Sequence, residues 1–489
     1  MSLRRTSRLL TLLGLAALPL LVACETAPGT GRTIFTGGMS VADETQLGYR
    51  EHQKIVPQFG GAYADPAVTG YIASIGDLLA RTSETPNTKF TFTVLDTPIV
   101  NAFALPGGYV YITRGLLALA DNEAEVAGVL AHEIGHVTAR HSAERYGQTL
   151  AANVFGLGLG LVLGRGLATD FYGTVAGIAL RSYSREQEYE SDLLGVRYMA
   201  RAGYDPGAMA SFLSRLQAHG QFESELRGEP GQADRLDILQ THPRTADRIA
   251  RAIQEAGAKT VADPMTARDL YLDKIDGLLY GDNPSQGLVR GRRFLHPERR
   301  FAFEVPQGFR LFNGASRVTA RGPEGATIAF EPAKQVVRGP MTAYLTRVWA
   351  EGVALDEVES LTVNGMATAT GHARGRGKNG AIDLRLVAFR YDPQTIYHMI
   401  FETPVRRTAA LSRGLRETTY SFRRLSAAEA ARFKPRRLRI HRTGAGETAA
   451  RIAARMPFED HRLRRFLVLN GLNRDQSFPT GHRVKTVTE

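Results

Sequence analysis

Between Asp43 and Arg81 apolar residues recur every three to four positions, the spacing that predicts helix. Two alternating stretches follow. KFTFTVLD (89–96) and VNAFALPGGYVYIT (100–113) read as strands, the second as a pair joined by a Pro-Gly-Gly turn. DNEAEVAGVLAHEIGHVTARHSAERYG (121–147) returns to helical spacing, with Asp121 as the expected N-cap and acidic residues in the first turn. Further helices are predicted at about 181–202, 206–219 and 243–257. Beyond Gly287 the texture changes to alternating segments such as RFAFEVP, ATIAFEP and IDLRLVAFRY, interrupted by helices at about 340–352 and 407–418. No long-period repeat runs through the chain.

The fold class this predicts is α+β. A mainly helical domain with a small sheet spans 43–280, a separate α+β domain spans 288–430, and a small terminal module spans 433–489. A chain of 489 residues is long enough for several cores.

The formal charge of +12 implies an anionic neighbour, and the N-terminus narrows which. Arg4, Arg5 and Arg8 precede an apolar run from Leu9 that is interrupted by Pro19 and ends in small residues before Cys24. That is the layout of a secretory signal, and the run is short of the roughly 20 residues of a membrane span. LVAC resembles a bacterial lipobox, so residues 1–23 are expected to be a lipoprotein signal peptide and Cys24, the only cysteine, the lipidated residue. Residues 24–42, rich in Gly and Thr, read as a tether. An exported, membrane-anchored chain leaves nucleic acid an unexpected partner.

His132 and His136 stand four apart on the predicted helix, so both rings project from one face and can share an ion. Glu133, one residue round, is placed to accept a proton from a water acidified by that ion. A catalytic zinc needs a third protein ligand and one open position. On a continuous helix His141 points away from the His132/His136 face, so a carboxylate from a later helix is required. SYSREQEYESDLLGVRYMARAGYDP supplies Glu188 and Asp192, four apart, one for the metal and one to hydrogen-bond a ligand histidine. Between these halves Gly156, Gly160 and Gly164 recur every fourth residue in an apolar stretch too short to span a bilayer, which reads as a packed helical cover.

From about Asp43 to Gly257 the sequence resembles the gluzincin metallopeptidases of the CAAX prenyl protease, HtpX and BepA type. The resemblance rests on NAFALPGGYVYITRGLL, AHEIGHVTARH, the Glu-x-x-x-Asp of EYESD, AGYDP and THPRTADRI. It implies one zinc held by His132, His136 and Glu188, with Glu133 as general base and Asp192 supporting a ligand. It also implies that strand 100–113 edges the substrate cleft. Pro243 places His242 on a loop just before a helix, and BepA-type relatives carry a histidine in this His-Pro context near the metal. His242 is therefore expected either to fill the fourth zinc position and keep the enzyme latent, or to stabilise the oxyanion with Arg248 nearby. No tetratricopeptide pattern follows the catalytic region.

Residues 433–489 resemble a LysM module, with Gly446 to Ala453, Asn470-Gly471-Leu472 and the closing GHRVKTV, although AGET replaces the usual Gly-Asp-Thr. Peptidoglycan is the partner this implies. Residues 288–430 suggest no site. The function expected is a zinc endopeptidase of the bacterial envelope, lipid-anchored on the periplasmic side of the outer membrane because Glu25 follows Cys24. Unfolded or misassembled envelope proteins are the expected substrates. The rivals are a non-proteolytic assembly factor and a zinc-dependent cell-wall hydrolase.

Overall fold

The computed structural model describes residues 24–162, 183–226, 242, 250, 251, 253, 254, 261–377 and 380–489, with backbone alone for 152–162. The chain divides into two compact units. One runs through Tyr280 and takes in Arg437–Thr488; the other is Gly281–Arg436. Among the described residues no helix is long and apolar enough to cross a membrane.

The first unit begins with a hairpin. β1 (Cys24–Thr26) pairs antiparallel with β2 (Thr33–Phe35), Cys24 opposite Phe35. The β-branched Thr26, Thr33 and Ile34 favour this extended pairing, and Ile34 is buried. Ser40 then caps α1 (Val41–Gln58) in a capping box with Asp43. Gly60 and Gly61, both at positive φ, break the helical run before α2 (Pro66–Thr82), which Asp65 caps.

β3 (Thr91–Leu95), β4 (Ala102–Leu105) and β5 (Tyr109–Thr113) form a sheet in the order β3-β5-β4, with β5 parallel to β3 and antiparallel to β4. Gly108 in the turn has φ 88°, and a Cβ there would stand 2.5 Å from the Lys89 carbonyl oxygen. Among the described residues there follow α3 (Arg114–Leu119), α4 (Glu123–Thr138), α5 (His141–Val162), α6 (Arg185–Arg201), α7 (Ala208–Leu226) and α8 (Arg268–Ile275). Asn122, not Asp121, caps α4, its side chain accepting from Glu125 N–H at 2.9 Å. Asp121 instead receives Arg268 Nε at 2.7 Å. The predicted helix 243–257 falls largely outside the described residues. So does Gly164; Gly156 and Gly160 lie on the part of α5 known by backbone alone.

The second unit is built on two antiparallel sheets. Its strands are β6 (Leu288–Arg290), β7 (Arg293–His296), β8 (Phe301–Glu304), β9 (Arg310–Asn313), β10 (Val318–Arg321), β11 (Thr327–Pro332), β12 (Asp356–Val363), β13 (Met366–Gly377), β14 (Gly380–Asp392), β15 (Thr395–Pro404) and β16 (Arg423–Arg424). Seven run in the order β12-β13-β14-β15-β11-β10-β9 and four in the order β16-β8-β7-β6. α9 (Val405–Ser421) covers the predicted 407–418. The segment predicted as helix 340–352 is one α-turn, Met341–Tyr344, continued by a π-turn, Leu345–Trp349.

The chain then returns to the first unit with β17 (Arg437–Arg442), α10 (Ala449–Ala454), α11 (Arg462–Asn470) and β18 (Arg483–Thr488), β17 pairing antiparallel with β18. The linear sequence sets this βααβ segment apart, but its Leu438, Ile452, Phe466 and Val484 lie in the same apolar core as residues of α2, α3, α4, α6, α7 and α8. Gly277 N–H donates to Leu438 O at 2.9 Å, and Leu438 N–H to Leu278 O at 2.8 Å.

Lys485 is fully buried and donates to the carbonyls of Ala118, Leu119 and Ala120 at 3.0, 2.8 and 2.7 Å, closing the C-terminal end of α3. Burial pushes its ammonium from 10.5 down to about 7, against the attraction of Asp121. Between those values the unfolded chain holds a proton that the folded chain does not. This residue's contribution to stability therefore rises with pH across that window. In Lys485→Met that rise should disappear from urea midpoints measured across the window. An unchanged pH slope would assign the rise to another group.

Candidate metal centre

The site forms where α4 and α6 meet. α4 is buried along nearly its whole length, Glu133 included. The approach of the two helices depends on missing side chains. A Cβ on Gly135 would stand 2.8 Å from Ser191 Oγ and 2.9 Å from Ser191 O, and one on Gly195 would stand 3.2 Å from His132 N. Ser191 Oγ donates to His132 O at 2.6 Å across the same contact. This close packing brings the α4 histidines to the α6 carboxylates.

His132, His136, Glu188 and His242, all buried, offer ligand atoms that lie within 4.8 Å of one another. His132 Nε2 is 3.0 Å from His136 Nε2, 3.3 Å from His242 Nδ1 and 3.7 Å from Glu188 Oε2. His136 Nε2 is 3.4 Å from Glu188 Oε1, and His242 Nδ1 is 2.7 Å from that oxygen. Two ligands on a tetrahedral zinc with bonds of 2.0–2.1 Å stand about 3.3 Å apart. The observed separations bracket that value.

The tautomers point the same way. Asp192 Oδ1 lies 2.8 Å from His132 Nδ1, and a carboxylate can only accept, so Nδ1 carries the hydrogen and Nε2 the lone pair. His136 Nδ1 lies 2.8 Å from His141 Nδ1, whose ring meets Glu190 Oε2 through Nε2 at 3.1 Å. In its neutral form His141 donates to the carboxylate through Nε2, which leaves its Nδ1 to accept and His136 Nδ1 to donate. Both ligand Nε2 atoms thus turn lone pairs toward each other at 3.0 Å. Such a contact is repulsive unless a cation sits among them, which is the fit expected of a metal site.

Protonation states agree. Burial would raise the Glu188 carboxyl, but the imidazoles packed around it, His242 foremost, outweigh burial and hold the group well below the usual carboxylate range. Burial pushes His136 far below its ordinary range and keeps it neutral. A deprotonated carboxylate and neutral imidazoles are the ligating forms.

Glu133 is wholly buried beside this cluster, with Oε1 3.7 Å from His242 Nε2. Arg248 lies outside the described residues, and Cys24 is exposed at the start of β1. Strand 100–113 resolves into β4, an edge of its sheet packed against α4, and the central β5.

One expectation is corrected. The helix carrying the histidines is not continuous: it ends at Thr138, and Arg140 takes φ 55° before α5 begins at His141. That left-handed residue, held by Glu25, Glu44 and the Met39 carbonyl, swings His141 back against His136. Sequence spacing also passed over Glu190 and Tyr183. The Tyr183 ring stacks on His136 at 3.8 Å between centroids, beneath the Arg145 guanidinium.

Comparison with known proteins accords with this geometry. Residues 66–256 match Peptidase family M48. The chain is 32% identical over 265 residues to the "Beta-barrel assembly-enhancing protease" of Escherichia coli (strain K12), covering 52% of this chain and 51% of that one. It is 36% identical over 165 residues to the "Mitochondrial metalloendopeptidase OMA1" of Arabidopsis thaliana, covering 34% and 31%. The Schizosaccharomyces pombe protein of the same name is 29% identical over 238 residues, covering 47% and 66%. The chain thus spans about half the length of the first of these relatives. Zinc is the metal of the family, and the buried His/Glu donor set suits it. Residues 66–256 thus carry a domain similar to Peptidase family M48.

Proposed function

We propose that the protein is a zinc-dependent endopeptidase of the bacterial envelope, acting on unfolded or misassembled envelope proteins. The observation that carries this is the convergence of His132, His136, Glu188 and His242 beside the buried Glu133. A bound zinc supplies Lewis acidity, lowering the pKa of water and polarising a peptide carbonyl. The remaining work belongs to the chain. His132, His136 and Glu188 would hold the ion. Asp192 fixes the His132 ring by accepting its Nδ1–H. Glu133 accepts the proton of the attacking water and delivers it to the leaving amine. β4, an edge strand against α4, offers backbone groups to an extended substrate. His242, whose Nδ1 stands among the ligand atoms, would fill the fourth position of a bound zinc and keep the resting enzyme latent.

The envelope assignment draws on the signal-like residues 1–23, on Cys24 as the site of lipidation, and on similarity to the Escherichia coli beta-barrel assembly-enhancing protease. The βααβ order of Arg437–Thr488 accords with the LysM resemblance, and peptidoglycan is the ligand proposed for it. The reading is tested by metal removal. A zinc chelator should abolish cleavage of an unfolded outer-membrane protein, and added zinc should restore it. Cleavage that persists in metal-free protein would refute the reading.

A further inference from the structure

The wall behind His136 contains residues that no step of peptide hydrolysis uses. His141 is wholly buried and links His136 Nδ1, at 2.8 Å, to Glu190 Oε2, at 3.1 Å. Glu190 is held from its far side by the N-terminal hairpin. The Thr30 hydroxyl donates to Oε1, and Arg32 Nε donates to Oε2 at 2.9 Å. The same guanidinium grips Glu144 with both terminal nitrogens, at 2.7 and 2.8 Å, and Gln187 Nε2 donates to Glu144 at 2.7 Å. Glu144 lies on the helix that begins with His141, and Gln187 on the helix that carries Glu188. Arg32 therefore ties α5 and α6 together just where they face His136. A second tie from the same hairpin, Glu25 to Arg140, holds the left-handed residue that aims His141.

We infer that His141 and Glu190 are positioning residues for the metal ligand His136, and that the N-terminal hairpin, through Thr30 and Arg32, is a working part of the metal centre rather than a passive tether. The inference rests on the reading that His132, His136 and Glu188 hold zinc. Its logic is directional. Glu190 makes a neutral His141 a donor at Nε2 and so an acceptor at Nδ1, which fixes the hydrogen of His136 on Nδ1 and its lone pair on Nε2. Take away Thr30 and Arg32, and Glu190 loses both donors on that side and is free to turn from His141. Partners of this kind typically contribute 10- to 100-fold to metal affinity. Arg32 is 39% exposed at its side chain, so the clamp can be reached from outside. Whatever pulls or cuts the segment between Cys24 and α1 would then reach the metal site through only three side chains.

The test uses the full-length chain, with zinc affinity measured by chelator competition. Glu190→Gln and Arg32→Ala should weaken zinc about 10- to 100-fold, with far-UV circular dichroism and the thermal transition preserved. Arg32→Lys, which can serve one carboxylate but not fork between two, should recover part of the loss. Imidazole nitrogen-15 shifts of His136 should report Nδ1–H in the parent and a mixture of tautomers in Glu190→Gln, a change that a merely structural role for Glu190 would not produce. Zinc affinity and His136 tautomer both unchanged in Glu190→Gln and Arg32→Ala would overturn the inference. Glu188→Ala separates the two levels. If it loses zinc while the other variants do not, only the positioning role fails; if it too keeps zinc, the ligand assignment itself is wrong.

Discussion

Glu133→Gln should bind zinc as tightly as the parent and cleave an unfolded substrate about 10²- to 10⁴-fold more slowly. The amide keeps the shape of the side chain and its place on the buried α4, so the ligand cluster is undisturbed. What it loses is the ability to take up a proton at the moment water attacks. Glu188→Ala should do the reverse of the first half: the protein should emerge from purification without metal. Removing that carboxylate takes the one acidic member out of the four described residues of the cluster and leaves His132 Nε2 facing His136 Nε2 at 3.0 Å. Metal content and single-substrate kinetics on both variants separate base from ligand. Full activity in Glu133→Gln would remove it from the chemistry, and stoichiometric zinc in Glu188→Ala would remove that residue from the ligand set. The inactive, metal-loaded variant also serves to trap clients.

How far the sequence alone reaches is clear from which residues sit at regular spacing. His132 and His136 on one helix face, and Glu188 and Asp192 on another, are periodic patterns, and α4 and α6 lie where that periodicity puts them. The strand pair around Pro-Gly-Gly announces itself by alternation and turn chemistry. What periodicity cannot give is a break in it. Arg140 at φ 55° is a non-glycine residue forced left-handed by contacts from the hairpin and α1, and nothing local marks it. His141 was therefore aimed the wrong way and Glu190 passed over. The same kind of long-range contact explains the ends of the chain. Residues 24–36 look like a linker by composition, yet Arg32 satisfies two carboxylates more than a hundred positions away. The terminal βααβ segment looks self-contained by its own pattern. Lys485 finds its carbonyl partners some 365 residues upstream, and no linear reading pairs them. Gly135 and Gly195 are intermediate: both are visible in the sequence, but the helix contact they permit appears only once the partner surface is known.

His242→Ala should raise the basal cleavage rate while leaving zinc bound. His242 is buried, with Nδ1 3.3 Å from His132 Nε2 and 2.7 Å from Glu188 Oε1, and Nε2 3.7 Å from Glu133 Oε1. One ring therefore fills the place among the ligands that water and a substrate carbonyl must share, and it lies against the base as well. Three protein ligands remain when it is gone, and three with one open position is the arrangement of catalytic zinc. Pro243 disfavours helical geometry at His242, as expected of a residue that precedes a helix. The opposing possibility is that the imidazole donates to the oxyanion once substrate is bound. Loss of one such donor lowers kcat by about 10²- to 10³-fold. The two roles thus differ in sign, and a single rate decides between them. Faster cleavage with unchanged zinc content supports the gate. A fall of that size assigns the oxyanion role, and a rate and zinc affinity equal to the parent's would leave His242 a bystander despite its position.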